Sequence, residues 1–332
     1  MGWFDHLKAP DRLPGMRSAG MNNVMPYTGM AEDVRPYLDR ALRAGVKVFV
    51  EIDRLLLVAP DPTVVSLFIE NYRHHPAVYG WLLMDEPTID PDFRAVTPSM
   101  AKTIYRRIKA VDPKHPVGIV FGVKEDPRPW RPAMDVMLFD DYVQSSKVHE
   151  FWGLDRWRAR LINRASIASS LRGYMPVLQA YGQDAQGRPQ REKRLPTSRE
   201  IRYMVYTAVQ NKATGLFFWN RNMSLKGWID KVMTPVSKEI APALRAIAGG
   251  PVRGSSTSER RVRSTVFRDS RTKALYLVVV HNGGGTRKAQ IKIDPKLGVS
   301  RARRASHGAF YMSGGKFVDK FGPYGARLYR LA

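Results

Sequence analysis

The run His75-Pro76-Ala77-Val78-Tyr79-Gly80-Trp81-Leu82-Leu83-Met84-Asp85-Glu86-Pro87 delivers two adjacent carboxyl groups at the end of an apolar segment bounded by prolines. A run of this length, rich in aromatic and branched residues, reads as a strand buried on both faces. Acids at the carboxyl end of such a strand are costly to bury, and that end of a parallel α/β barrel is where catalytic residues collect. Asp85 and Glu86 side by side suit proton transfer, because an adjacent carboxylate in an apolar site raises a neighbour's pKa. The competing reading makes them caps of the following helix or partners of surface arginines.

The elements that must position these acids alternate along the first 250 residues. Strand-like runs fall at Gly20 to Tyr27, Val46 to Ile52, Val78 to Asp85, Val117 to Gly122, Asp135 to Tyr142, Met175 to Tyr181 and Gly215 to Trp219. Helical periodicity separates them at Ala31 to Ala44, Thr63 to Arg73, Ser99 to Val111, Trp157 to Leu171 and Ser198 to Asn211, with start signals at Asp61-Pro62-Thr63 and Thr197-Ser198-Arg199-Glu200. This spacing of βα units predicts a (β/α)₈ barrel. Seven strands are one short of closure, and Trp3 to Arg17 has room for a helix but hardly for a strand as well. The expectation is therefore a barrel lacking its first strand, or a chain whose start has been trimmed.

A final helix is expected around Val236 to Ala248, followed by a Gly/Ser-rich linker over residues 251–258. From 259 to 332 the period changes to two, with runs at Val262 to Arg268, Leu275 to His281, Ala289 to Ile293, Gly308 to Met312 and Ala326 to Leu331. These predict a small antiparallel β-sandwich. Asn282-Gly283-Gly284-Gly285 lies between two strands, not between a strand and a helix, so it reads as a hairpin turn rather than a phosphate cradle.

Composition narrows the function classes. The chain of 332 residues has no cysteine, which excludes disulfides and thiolate chemistry. Its seven histidines show no metal-ligand spacing, and no cofactor motif appears. No apolar run is long enough to span a membrane, and Met1 to Arg17 lacks a secretory apolar region. The compartment stays open, and an extracytoplasmic one fits if an N-terminal segment is missing. The net charge is +24. From Pro251 to Ala332, 18 Lys and Arg face 4 Asp and Glu, a net of +14 that leaves +10 for the other 250 residues. That field favours adhesion to an acidic polymer. No nucleic-acid-binding motif accompanies it, so nucleic acid is not the expected partner.

Three segments together resemble the TIM-barrel glycoside hydrolases that carry an acid/base glutamate on strand four and a nucleophile glutamate on strand seven. They are Gly80 to Pro87, the helix exit Ile108-Lys109-Ala110-Val111-Asp112-Pro113-Lys114-His115-Pro116, and Phe321-Gly322-Pro323-Tyr324. The resemblance implies cleavage of O-glycosidic bonds in a polysaccharide, with Glu86 as general acid and Asp85 where the family usually has asparagine. It implies that Tyr142 orients the nucleophile and that Trp219 is a floor for a sugar ring, with Trp81 and Asn220 as further sugar contacts. Plain barrel packing is the competing reading of Tyr142 and Trp219.

At strand seven the chain departs from the family: the nucleophile position is Gln179, which forms no glycosyl ester and cannot act as a base. Asp140 and Asp141, or Glu51 and Asp53, then become candidates for the second carboxylate. The substrate's own acetamido group could serve instead, or the protein binds sugar without cleaving it.

Overall fold

The computed structural model describes all residues except 7–11, 28–30, 53–60, 90–95, 145–149, 183–192, 220–225 and 305–307. Eight parallel strands form a closed barrel in sequence order: β1 (Gly2–His6), β2 (Asn23–Tyr27), β3 (Lys47–Glu51), β4 (Val78–Asp85), β5 (Val117–Phe121), β6 (Val136–Asp140), β7 (Gly173–Gln179) and β8 (Phe217–Trp219). Helices α1 (Leu13–Ser18), α2 (Ala31–Ala44), α3 (Pro62–Tyr72), α4 (Pro98–Val111), α5 (Leu154–Ile167) and α6 (Ser198–Gln210) fall between successive strands, except that a 3₁₀ helix, Arg128–Ala133, joins β5 to β6.

The expected gap in the wall is filled, which corrects the forecast of a missing first strand. β1 pairs with β2 through Gly2 and Asn23, and with β8 through Gly2 and Phe217. Five residues suffice for a barrel strand, so Gly2–His6 and the six-residue α1 both fit before Ala19. The closure needs a glycine: a Cβ on Gly2 would lie 2.6 Å from the Phe217 ring and 2.7 Å from the Asn23 carbonyl oxygen. Every strand contributes to one buried cluster inside the barrel, through Phe4, Met25, Phe49, Leu82, Val120, Leu138, Val177 and Phe217, with Val136 and Met175 beside them. Each apolar side chain buried in this way contributes about 1.5–3 kcal/mol.

Helix starts follow the sequence signals. Asp61 caps α3 by accepting from Thr63 N, and Thr197 and Glu200 form a reciprocal capping box at α6. The end of α4 is latched by Asp112, which accepts from Lys114 N, His115 N and Trp81 Nε1.

The C-terminal strands build two antiparallel sheets: β10 (Ser255–Thr257), β13 (Arg287–Ile293) and β16 (Lys316–Phe321) in one, and β15 (Ala309–Tyr311), β14 (Arg301–Arg304), β17 (Ala326–Leu331), β12 (Leu275–His281), β11 (Val262–Arg268) and β9 (Pro251–Val252) in the other. Inward residues of both sheets, including Val266, Leu277, Ile291, Phe317 and Tyr329, share one core. Residues 251–258 thus contribute two short strands. Asn282 to Gly285 joins β12 to β13, which belong to different sheets. It is a crossover between layers rather than the hairpin turn expected, because β12 takes β11 and β17 as its partners.

By its contacts the chain forms two compact units, Met1–Tyr142 with Ile162–Pro189 and Gly215–Ser224, and Val143–Leu161 with Gln190–Thr214 and Leu225–Ala332. The first holds all eight barrel strands. The second holds both C-terminal sheets and α6, whose Gln210 Nε2 donates to the carbonyls of Arg263 and Val278.

Candidate active site

Strand periodicity decides which side chains crown the barrel. Faces alternate every residue, so the positions two beyond the inward layer point the same way: Glu51 after Phe49, Gly122 after Val120, Asp140 after Leu138, Gln179 after Val177 and Trp219 after Phe217. Tyr142 and Trp219 pack on the inward cluster. Asp140 and Gln179 are buried, at 8 % and 0 % exposure.

Glu86 follows β4 in the left-handed region, with φ +48°. A non-glycine residue there is strained, and such strain gathers at functional sites. The turn is held by two backbone bonds, Glu86 N to Val120 O at 3.0 Å and Ile89 N to Glu86 O at 2.9 Å. Its carboxyl group lies against Gly122, where a Cβ would come 2.3 Å from Glu86 Oε1. Glu125 ties both sides of this arrangement together. Its Oε2 accepts from Gly122 N at 2.7 Å, and its Oε1 accepts from Thr88 N and Oγ1, each at 2.7 Å.

Asp140 is the electrostatic centre of the group. Burial pushes its carboxyl pKa well up, the charges of Glu86 and Asp85 push it further, and a hydrogen bond from Tyr142 opposes them. A hydrogen bond with Glu86 also raises the Asp140 pKa, so the two carboxyl groups together favour holding a proton. Asp140 Oδ1 is buried with no hydrogen-bond partner among the described residues. A buried acceptor left open in this way is suited to a ligand hydroxyl. Tyr142 and Tyr181 meet edge to face at 5.4 Å. Burial raises both phenol pKa values, helped by Asp140, so both rings stay protonated donors.

The remaining candidates divide. Gln179 Nε2 donates to Tyr181 O at 3.2 Å, and Gln179 pairs in the ladder with Trp219, whose ring meets Phe4 at 5.0 Å. Glu51 ends β3 in register with Leu82. Asp141 takes the opposite face from Asp140, and the Arg164 guanidinium feels the charges of both, that of Asp141 more strongly. Arg164 in turn donates to the carbonyls of Gly122, Val123 and Glu125 and stacks over Phe139 at 5.0 Å. Trp81 does not join the group, which corrects its assignment to sugar contact. It is fully buried, its Nε1 donates to Asp112 Oδ2 at 2.9 Å, and its ring contacts Phe68 and His115, while its neighbour Leu82 faces the barrel interior. Asp53 and Asn220 lie outside the described residues.

Gly122, Glu125, Arg164 and Tyr181 were not singled out by sequence. Tyr181 was within reach, two residues beyond Gln179 on the same face. Among the described residues no group of three or more His, Asp or Glu could hold a metal ion, and no helix is long and apolar enough to cross a membrane.

No family model matches the chain, and no curated protein matches it in sequence. Solved structures do match. A GH30 endoxylanase from Clostridium papyrosolvens C71 superposes over 100 % of this chain and 95 % of its own, with TM-score 0.62 and 11 % identity. An Anoxybacillus α-amylase matches over 97 % and 89 %, with TM-score 0.60 and 11 % identity. A putative α-galactosidase/melibiase from Bacteroides fragilis covers 100 % and 78 %, with TM-score 0.61 and 11 % identity. At this identity the likeness is one of fold: the chain has the (β/α)₈ barrel with C-terminal β-sandwich seen in these glycoside hydrolases.

Proposed function

We propose that this protein is a glycoside hydrolase acting on a polysaccharide, with Glu86 as the proton donor and Asp140 as the group that keeps the proton available. The observation that carries this reading is the approach of half-buried Glu86 to buried Asp140, with Asp85, Tyr142 and Tyr181 around them. Two carboxyl groups sharing one proton supply an acid at neutral pH. Glu86 donates that proton to the glycosidic oxygen as the bond to the anomeric carbon breaks. The pair is left with both groups charged and takes back a proton from the water that adds to that carbon.

The spacing also narrows the roles. Carboxyl groups flanking a scissile bond stand about 5–5.5 Å apart for retention or about 6.5–9.5 Å apart for inversion. A pair in hydrogen-bond contact fits neither, so Asp140 supports the acid rather than attacking the sugar. With Gln179 across the barrel, the attack on the anomeric carbon falls to another acid, such as Glu51, or to the substrate's 2-acetamido group. The second reading, a sugar-binding protein on a hydrolase scaffold, is favoured by one observation: Gln179 is buried and its amide is committed to Tyr181.

Sugar release from acidic, N-acetylated and neutral polysaccharides by wild type, Glu86→Gln and Gln179→Glu separates the two. The hydrolase reading expects release by wild type and its loss in Glu86→Gln. Retained binding without any release by wild type, and release only by Gln179→Glu, would establish a disarmed scaffold.

A further inference from the structure

Four lysines share the solvent face of the three-stranded C-terminal sheet. In β13 and β16 the register sets Lys288 opposite Lys320 and Lys292 opposite Lys316, with Gln290 opposite Val318 between the two pairs. The inward partners Ala289, Ile291 and Phe317 fill the sandwich core, so these lysines point away from it, and all four are exposed. Ser256 of β10, opposite Lys292, extends the same face. None of the four lysines makes an ion pair among the described residues. The nearest acid in β16, Asp319, faces inward and is taken by Arg327, Arg304 and Tyr329.

Like charges directly opposite one another weaken a sheet, so folding does not call for this arrangement. Lysines on an edge strand can deter edge-to-edge aggregation. That explains β16 but not β13, which lies in the middle of its sheet. We infer that this face is a docking surface for an extended anionic polysaccharide. Opposed side chains stand about 5 Å apart, whereas four residues along a strand cover about 13–14 Å. One small anion can neutralise one lysine pair; a polymer with repeated charges spans both.

The face offers no aromatic ring for stacking bases and no arginine fork for phosphate, which sets it apart from nucleic-acid surfaces. Val318 is its one apolar side chain, too little to enter a lipid layer. The choice of a sugar polymer among polyanions rests on the glycosidase reading. The surface itself does not.

The test uses the full chain carrying Glu86→Gln, so that binding is read without turnover. Polygalacturonate is the probe, and its fully methyl-esterified form is the uncharged control. Single-stranded DNA and anionic phospholipid vesicles are the competing polyanions. Polygalacturonate should bind, the methyl ester should not, and affinity should fall as salt rises. Adding Lys288→Gln, Lys292→Gln, Lys316→Gln and Lys320→Gln together should weaken binding by about tenfold or more and flatten the salt dependence, with the melting transition retained. Unchanged affinity in that variant would overturn the inference. So would tighter binding of DNA or vesicles at equal salt, or a variant that aggregates while its monomer binds as before. Absence of sugar release by wild type would count against the barrel reading alone, and loss of lysine dependence against the surface alone.

Discussion

Glu200 and Asp140 are both buried carboxyl groups, 0 % and 8 % exposed, in opposite surroundings. Glu200 accepts from both terminal nitrogens of Arg194, at 2.8 and 2.7 Å, from Thr197 N at 2.7 Å and from Phe151 N at 2.8 Å. Burial alone would raise its pKa, but these bonds outweigh burial, and it sits below the usual carboxylate range. Asp140 meets two more acids instead, and its pKa goes well up. Burial is common to both, so the partners decide. One carboxylate fastens a helix start, while the other stays short of compensation and is thereby fit to hold a proton.

The largest effect expected from this contrast is catalytic. Glu86→Gln should lower sugar release by about 10²- to 10⁴-fold with binding nearly intact, since it removes the donated proton and keeps the shape. Next comes Glu200→Gln, which strands Arg194 and one side of the capping box. Breaking a buried ion pair costs about 3–5 kcal/mol, and the lower end applies because Arg194 keeps a partly exposed side chain. Denaturant unfolding checks it. Because the folded pKa of Glu200 lies below its unfolded value of about 4.3, its contribution is present above that pH and is lost as pH falls through the folded pKa.

Gly122→Ala probes the same contrast by geometry. A methyl group 2.3 Å from Glu86 Oε1 must push the carboxyl aside. A displacement of about 1 Å costs up to about 100-fold in rate, so kcat should fall by about 10- to 100-fold with KM little changed. Steady-state kinetics on any polysaccharide that wild type cleaves would show this. An equal change in KM would mean that the glycine shapes binding instead.

Much of this arrangement was legible in the residue pattern. The bounds of β4 were readable because Pro76 and Pro87 close an unbroken apolar run, and Gln179 was readable as the departure at the end of β7. What a run buried on both faces conceals is which residues face inward, because nothing in it alternates. Trp81 and Leu82 look equivalent in sequence, yet Trp81 turns to Asp112 and Leu82 to the barrel interior. Asp140 and Asp141 pose the same ambiguity, resolved only when Leu138 is seen to face inward. β1 escaped notice because five residues carry too short a pattern, and the roles of Gly122 and Glu125 depend on contacts with Glu86 and Thr88 across the turn.

The smallest effect is one of stability, with a sign opposite to that at Glu200. The folded pKa of Asp140 is above its unfolded value of about 3.9, so ionising it in place carries a cost that grows as pH rises from about 4 through the folded pKa. Asp140→Asn should therefore raise Tm at pH 7 and leave it unchanged near pH 3, as thermal unfolding at the two pH values would show.

Carboxyl ¹³C NMR titration of wild type and Glu86→Gln tests the shared proton most directly. In wild type, one carboxyl of the Glu86–Asp140 pair should remain protonated well above the ordinary carboxylate range, and Glu86→Gln should move the Asp140 transition to lower pH as the neighbouring charge is lost. Both carboxyl groups of wild type titrating together near their ordinary values of about 4 would contradict the shared proton and with it the assignment of Glu86 as the acid.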